Sequence, residues 1–381
     1  MRRLPLLLIP VTAALAAVPY FSHQSPVIPQ VQAQQEQPWR PASVPDKGPS
    51  ESPFRSELSD QTPYNSWQER RSLIASSTLE EVYEKSIPGA VRVIIGNAGL
   101  GTGFFITSDG YIMTAAHVAL GDTSEPLSVL TSQGKEYPAT LVGYDELKDL
   151  AIIKVKGNNF PTLQFSSSTP KVGDGVVAIG NSRGSFDGGR AGKVTRLGAS
   201  LSASFPSNMV ASSMPLAPGD SGGPVLNDRG EVVGVSTAIS SGAGHFSSYF
   251  VPLTTSSQIV KDLQAGLKKS VPIIGVSIAD ARDYLDAEGV LVTEVVPGLG
   301  AHKAGIKDPQ IREYRDDSGR VRQEISGADV IVAVEGKNVN DSDDLIGVLR
   351  SKKAGDQVTL KVRRGEQTLT LKVTLTAKHK V

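Results

Sequence analysis

Gly219-Asp220-Ser221-Gly222-Gly223-Pro224, read with Thr114-Ala115-Ala116-His117 well upstream, decides how this chain is understood. A serine hydroxyl is a weak nucleophile at neutral pH. It needs a base to take its proton and donors to hold a developing oxyanion. Glycines around Ser221 free the backbone to turn so that successive N–H groups converge on one point, an arrangement that no helix or strand provides. Gly-Asp-Ser-Gly alone is weak, because small polar residues crowd most loops. It gains weight beside an apolar run, Tyr111-Ile112-Met113-Thr114-Ala115-Ala116-His117-Val118, that ends in histidine. Of the chain's 5 histidines, His23 and His379 fall in terminal segments that read as unstructured. His245 falls in a Gly/Ser-rich loop and His302 in the C-terminal third, so His117 is the candidate base, expected at the end of a buried strand.

A histidine base is held in one tautomer by an acceptor on its far nitrogen, usually a carboxylate. Asp149 alone among the acidic residues between His117 and Ser221 leads directly into an unbroken apolar strand, Leu150-Ala151-Ile152-Ile153. That placement sets its carboxylate at the edge of a core. Asp145 is the alternative. Asp220, adjacent to the nucleophile, is expected to point away from it.

The order His117, Asp149, Ser221 resembles the trypsin-like serine proteases, specifically the HtrA/Deg family of exported proteases. The resemblance spans roughly residues 76–378. It is carried by Gly101-Thr102-Gly103-Phe104-Phe105-Ile106, Asp109 to Val118, Asp149-Leu150-Ala151-Ile152-Ile153-Lys154, Ala178-Ile179-Gly180-Asn181 and Pro218 to Pro224. It implies a mainly β fold, a trypsin-like double β-barrel protease domain followed by an α+β PDZ domain. It also implies that Ser221 attacks the scissile carbonyl, His117 shuttles the proton and Asp149 steadies the imidazolium. The N–H groups of Gly219 and Ser221 would form the oxyanion hole, with no metal or organic cofactor. Two departures stand out: Asp220, where the family more often has Asn, and a short Gly96–Leu100 connection where some members carry a long regulatory loop. In such folds the pocket floor lies six residues before the nucleophile, here Pro215, flanked by Met214 and Leu216. Thr237, Ala238 and Ile239 are expected to line the pocket, so cleavage should follow small or medium aliphatic residues.

Composition sets bounds. At 381 residues there is room for two or three domains. Lys+Arg and Asp+Glu balance at 39 each, so bulk charge gives no sign of a nucleic-acid partner. The absence of cysteine excludes disulfides, thiol catalysis and thiolate metal sites. Met1-Arg2-Arg3 followed by an uncharged run from Leu4 to Phe21 reads as a secretory signal or uncleaved membrane anchor over residues 1–33, hence an exported, periplasmic or envelope protein. Residues 34–75 read as a flexible Pro/Gln/Ser-rich tether. The resemblance makes its aromatic residues Phe54, Tyr64 and Trp67 candidates for joining subunits into a homotrimer or higher oligomer.

Thr78-Leu79-Glu80-Glu81 is a capping-box pattern that starts a helix running to Lys85. Short strands bounded by Gly and Asp follow, over 91–95, 103–106, 127–130, 150–155, 176–179 and 232–236, the protease domain covering 76–268. Ser182–Arg190, Ser207–Pro218 and Ser240–Ser248 read as mobile loops able to switch the site, and Ser256–Lys268 as a closing helix. Residues 272–378 resemble a PDZ domain. Ile274-Gly275-Val276 would be the loop receiving a peptide C-terminus, and a helix over Asp343–Leu349 the groove's other wall. A charged insertion at 308–326 is expected to be a solvated hairpin or loop.

The leading functional reading is an ATP-independent serine endopeptidase acting on misfolded envelope proteins, with the PDZ domain binding substrate C-termini. A site-specific regulatory protease and a peptide-binding holdase with a silent protease half are the alternatives.

Overall fold

The computed structural model describes residues 77–379 apart from 97–98, 122–124, 183, 243–244, 286 and 316–320. The segments expected to be a signal or anchor and a tether, and the aromatic residues Phe54, Tyr64 and Trp67 expected to join subunits, lie outside the described residues.

Helix α1 (Ser77–Ser86) leads into a barrel of β1 (Ala90–Ile95), β2 (Gly99–Phe105), β3 (Tyr111–Thr114), β4 (Leu127–Thr131), β5 (Glu136–Asp145) and β6 (Leu150–Val155). Its strand path runs β5-β4-β1-β2-β3-β6, and pairing of β5 with β6 closes it. The second barrel, closed in the order β10-β11-β12-β9-β8-β7, contains β7 (Gly175–Ala178), β8 (Arg190–Ala199), β9 (Met209–Ser212), β10 (Pro224–Leu226), β11 (Val232–Gly242) and β12 (His245–Pro252).

Side-chain alternation along β6 shows why its apolar run is unbroken. Ala151 and Ile153 point into the first barrel with Val93, Phe105 and Ile112. Leu150 and Ile152 face the opposite way, into a core with Phe104, Met113, Val177, Leu226 and Val235 that joins the two barrels. Both faces are buried, so no polar residue interrupts the strand. The second barrel has its own core around Val176, Val210, Val225 and Phe250.

Four expectations are corrected. His117 does not close a strand: β3 stops at Thr114 and His117 lies in the one-turn helix α2 (Ala116–Ala119). Ser240–Ser248 is not a loop but mostly the β11–β12 hairpin, with Ser240 opposite Ser247 and Gly242 opposite His245. Serine's poor strand propensity is overridden there by ladder hydrogen bonds that continue from Val235. Likewise, Ser207–Pro218 contains β9. The closing helix is shorter than expected, α3 (Gln258–Gln264), and Lys268–Lys269 forms β13, parallel to β5.

Beyond the linker, β14 (Pro272–Ile273) precedes a five-strand path β15-β16-β19-β21-β22. These are β15 (Val276–Asp280), β16 (Val290–Val295), β19 (Asp329–Val334), β21 (Gln357–Arg364) and β22 (Gln367–Thr374). The one-turn helix α4 (Gly300–Lys303) follows β16, and the hairpin β17 (Gln310–Arg315)–β18 (Val321–Ser326) carries the charged insertion. Two short strands complete the domain: β20 (Lys337–Asn338) pairs with β19, and β23 (Thr376–Ala377) with β14. Helix α5 (Ser342–Arg350) is capped by the Asp341 carboxylate, which accepts the Asp344 N–H. Its Leu345 and Leu349 enter a separate core with Val292, Ile331 and Leu360.

A candidate serine-peptidase active site

Asp149 is delivered by the tight β5–β6 turn, in which Asp145 faces Leu150. The backbone of Asp149 is left-handed, at φ 52°. That conformation costs an L-residue about 1–2 kcal/mol and is tolerated mainly by Asp and Asn. Asp145, the alternative acid, accepts the N–H groups of Leu147 and Lys148 and pairs with Lys269, which folds the turn.

The Asp149 carboxylate, largely buried, meets His117 at three points. Nδ1 lies 2.9 Å from Oδ1 and 2.8 Å from Oδ2, and the His117 N–H donates to Oδ1 at 3.0 Å. About a third of the imidazole side chain remains open, at 33%. Burial pushes the His117 pKa down. The charge and hydrogen bonding of Asp149 outweigh it, and the net value lies above 6.5 despite an opposing Lys378 charge.

The Ser221 turn is set against the same segment. Thr102 donates its N–H to Ser221 O at 2.8 Å. Gly222 has φ 84°, and a side-chain carbon there would lie 2.8 Å from the Ala115 nitrogen. Glycine is therefore required, and the residue after Ser221 touches the backbone two residues before His117. Asp220, Gly222 and Gly223 send their N–H groups to Ala217 O, Ser236 O and Asp220 O. Among the described residues the N–H groups of Gly219 and Ser221 have no partner. The Gly219 carbonyl is held by Thr102 Oγ1 at 2.7 Å, and that hydroxyl is itself gripped by Asn181 Nδ2 at 2.9 Å.

The pocket residues separate. Ile239 packs with Met214, Leu216, Val210 and Phe250, and Pro215, between Met214 and Leu216 in the chain, is half-buried. Thr237 occupies a bulge between Ser236 and Ala238. Ala238, adjacent to Ile239 in β11, faces the other side of the strand and packs with Ala199, Met209, Ala211 and Tyr249.

In the C-terminal domain β15 pairs with β16 along one edge only. Gly275 has φ 89°, and a side chain would overlap Leu299. Ile274 is buried, with its carbonyl accepting Ala301 N–H, so Gly275 and Val276 lead into the open edge.

Sequence reasoning gave no role to several residues that fix this site. Arg350, at the end of α5, crosses to the first domain and donates to Leu147 O and Ser204 O, both at 3.0 Å. Its burial lowers its pKa, while Asp149, Glu146 and Asp145 pull it back up. Glu146 accepts from Ser270 Oγ and from Val271 N at 2.9 Å, and lies 2.9 Å from His379 Nδ1. The expectation that His379 is unstructured is thereby corrected: a carboxylate distant in sequence ties it down. Thr102 and Asn181 were visible in the quoted motifs; Arg190, described below, carried no sequence signal beyond being a lone arginine after glycines. Among the described residues no cluster of His, Asp or Glu could hold a metal ion.

Two family models match the chain in the order the fold displays. A trypsin-like peptidase domain covers residues 101–235 and a PDZ domain residues 272–375. A protein named probable periplasmic serine endoprotease DegP-like from Chlamydia pneumoniae is 33% identical over 286 residues, 72% of this chain and 54% of that protein. One of the same name from Marinomonas sp. is 31% identical, over 74% of this chain and 58% of the relative. Protease Do-like 1, chloroplastic, from Arabidopsis thaliana is 32% identical, with 74% and 64% covered. The molecule is thus a trypsin-like peptidase domain joined to a PDZ domain. It belongs to the HtrA/Deg family of serine proteases. The chain spans between 54% and 64% of the length of these relatives.

Proposed function

We propose that this chain is an exported, ATP-independent serine endopeptidase in which Ser221 is the nucleophile, His117 the base and Asp149 the group that orients it. The observation that carries this reading is the His117 Nδ1 contact with both Asp149 oxygens, at 2.9 and 2.8 Å. With Nδ1–H donated to the carboxylate, Nε2 is left unprotonated and able to accept the Ser221 proton, later returning it to the leaving amine. The N–H groups of Gly219 and Ser221 receive the oxyanion.

The pocket is built from Pro215, Thr237 and Ile239, and its apolar surroundings favour Val or Ala before the scissile bond. The open edge of β15 adds the substrate C-terminus as a strand, its carboxylate received at Ile274-Gly275-Val276. The substrates are unfolded or misfolded envelope proteins in the periplasm, and the enzyme works as a homotrimer or higher oligomer.

Fluorophosphonate should label the wild-type protein at Ser221, and unfolded casein should be digested broadly. Peptides differing only in Val, Arg or Phe before the cut should rank Val first. Absence of labelling overturns the peptidase reading, and a preference for Arg overturns the pocket.

A further inference from the structure

Asp220 separates the two residues whose N–H groups are proposed to bind the oxyanion, yet its side chain is 1% exposed. Oδ1 accepts the Ser182 N–H at 3.0 Å and Oδ2 the Ala217 N–H at 2.9 Å. Gly180 makes the space, since any side chain there would overlap the carboxylate. A carboxylate so far from water requires a cation or must give up its charge. The cation is Arg190, whose Nε lies 3.3 Å from Asp220 Oδ2.

The same guanidinium, only 11% exposed, donates to Gly188 O at 2.8 Å, Asp187 Oδ1 at 2.8 Å and Ser182 Oγ at 3.0 Å. Ser182 is thereby held twice, through its N–H by Asp220 and through its hydroxyl by Arg190. It sits directly behind the oxyanion turn: a side chain on Gly219, at φ 100°, would lie 2.9 Å from Ser182 Cα. From the other side the Gly188 N–H donates to the Tyr83 hydroxyl of α1 at 2.8 Å, anchoring the loop that carries Arg190.

We propose that Arg190 is a positioning residue for the peptidase reaction: as the internal counter-ion of Asp220, it holds the Gly219 and Ser221 N–H groups aimed at the oxyanion. It touches no substrate. Fixing both carboxylate oxygens fixes the peptide planes on either side of Asp220, so the donors need no rearrangement as charge develops. Asp220 departs from the Asn more frequent in the family, and a neutral side chain there needs no cation. Arg190 and Asp220 therefore act as one unit.

This inference rests on the peptidase reading, so its test uses the full chain and reports on both. Wild type, Arg190→Met, Arg190→Lys and Arg190→Met/Asp220→Asn are compared for kcat and KM on a Val-containing peptide, for fluorophosphonate labelling and for affinity toward a peptide boronate. Arg190→Met should lower kcat about 100-fold or more, the scale of losing one oxyanion donor. KM should stay within about threefold, with boronate affinity falling in parallel. The double variant should regain about tenfold or more in kcat by removing the unpaired charge, and Arg190→Lys should fall between wild type and Arg190→Met. A purely structural role would lower Tm but leave kcat of the folded enzyme and boronate affinity unchanged. That result, or a double variant no better than Arg190→Met, overturns the proposal. If Arg190→Met does not fold, Arg190→Lys and the double variant decide: wild-type kcat and boronate affinity in Arg190→Lys, or a double variant that itself loses about 100-fold or more in kcat, overturns it. Wild-type protein that fails to label overturns the peptidase reading and this inference with it.

Discussion

The turn that carries Ser221 and the turn that carries Asp149 are secured from opposite directions. Around Ser221 the bonds among the described residues come from the protease domain: Thr102, Asn181, Ser182, Arg190, Ala217 and Ser236. The Asp149 turn begins in the first barrel, through Asp145, but is completed from outside it. Tyr144 N–H donates to Leu267 O, Glu146 N–H to Lys269 O, and the Glu146 carboxylate grips Ser270, Val271 and His379. Arg350, at the end of the helix that flanks the β15 edge, donates to the Leu147 carbonyl two residues before Asp149. Among the described residues the geometry of the proposed nucleophile is thus set within the protease domain. The geometry of the orienting acid also depends on how the linker and PDZ domain sit.

Substitutions on the two sides should separate accordingly. The largest loss is expected for Ser221→Ala, about a million-fold in kcat by analogy with other serine peptidases, together with complete loss of fluorophosphonate labelling. Asp149→Asn should cost about ten-thousand-fold. It should also move the acid limb of the pH–kcat/KM profile. In the intact enzyme the carboxylate holds the His117 pKa above 6.5, so activity falls as pH drops through that raised value. Without the charge, burial dominates and the limb moves to lower pH; a limb that stays in place would show that Asp149 does not govern His117.

Arg350→Ala sharpens the comparison at smaller scale. Of the bonds it removes, the charge-assisted one to Leu147 O on the Asp149 turn, about 1.5 kcal/mol, corresponds to about tenfold in kcat/KM. Amide exchange should rise at 146–149 and not at 217–223. Equal rises in both segments would erase the distinction between the turns. Lowering pH acts on the same side. The Glu146 carboxyl is pushed up by burial but held below 4.5 by hydrogen bonds from His379, Ser270 and Val271. Its contribution to docking the C-terminal segment is complete above the unfolded value and is lost as pH falls through the lowered folded value. Exchange at 376–379 should report that loss, and Glu146→Gln should show it already at neutral pH. The smallest effect is expected for Ser236→Ala. Its buried hydroxyl has no hydrogen-bond partner among the described residues, so removal should leave Tm unchanged or slightly raised by calorimetry.

Much of this architecture was legible because its signals are local. The unbroken apolar run of β6, the helix read over Thr78–Lys85, which the structure starts one residue earlier at Ser77, and the glycines at 219, 222 and 275 each answer to the backbone conformation or core face of their own residues. The helix α5 over Ser342–Arg350 lies within a residue of its expected bounds. What was missed depends on distant partners. The serine-rich β11–β12 hairpin has little strand propensity of its own and takes its order from the pairing of Ser240 with Ser247 and Ser241 with Phe246.

The sequence by itself named the proposed nucleophile, base and orienting acid, since each sits in a local pattern of the kind that chemistry needs. Only the tertiary structure decided what holds them. Arg190 meets Asp220 across 30 residues, and Arg350 reaches Leu147 across 203. Ion pairs and hydrogen bonds of that span leave no periodicity in the chain, because they depend on where whole domains come to rest rather than on the residues beside them.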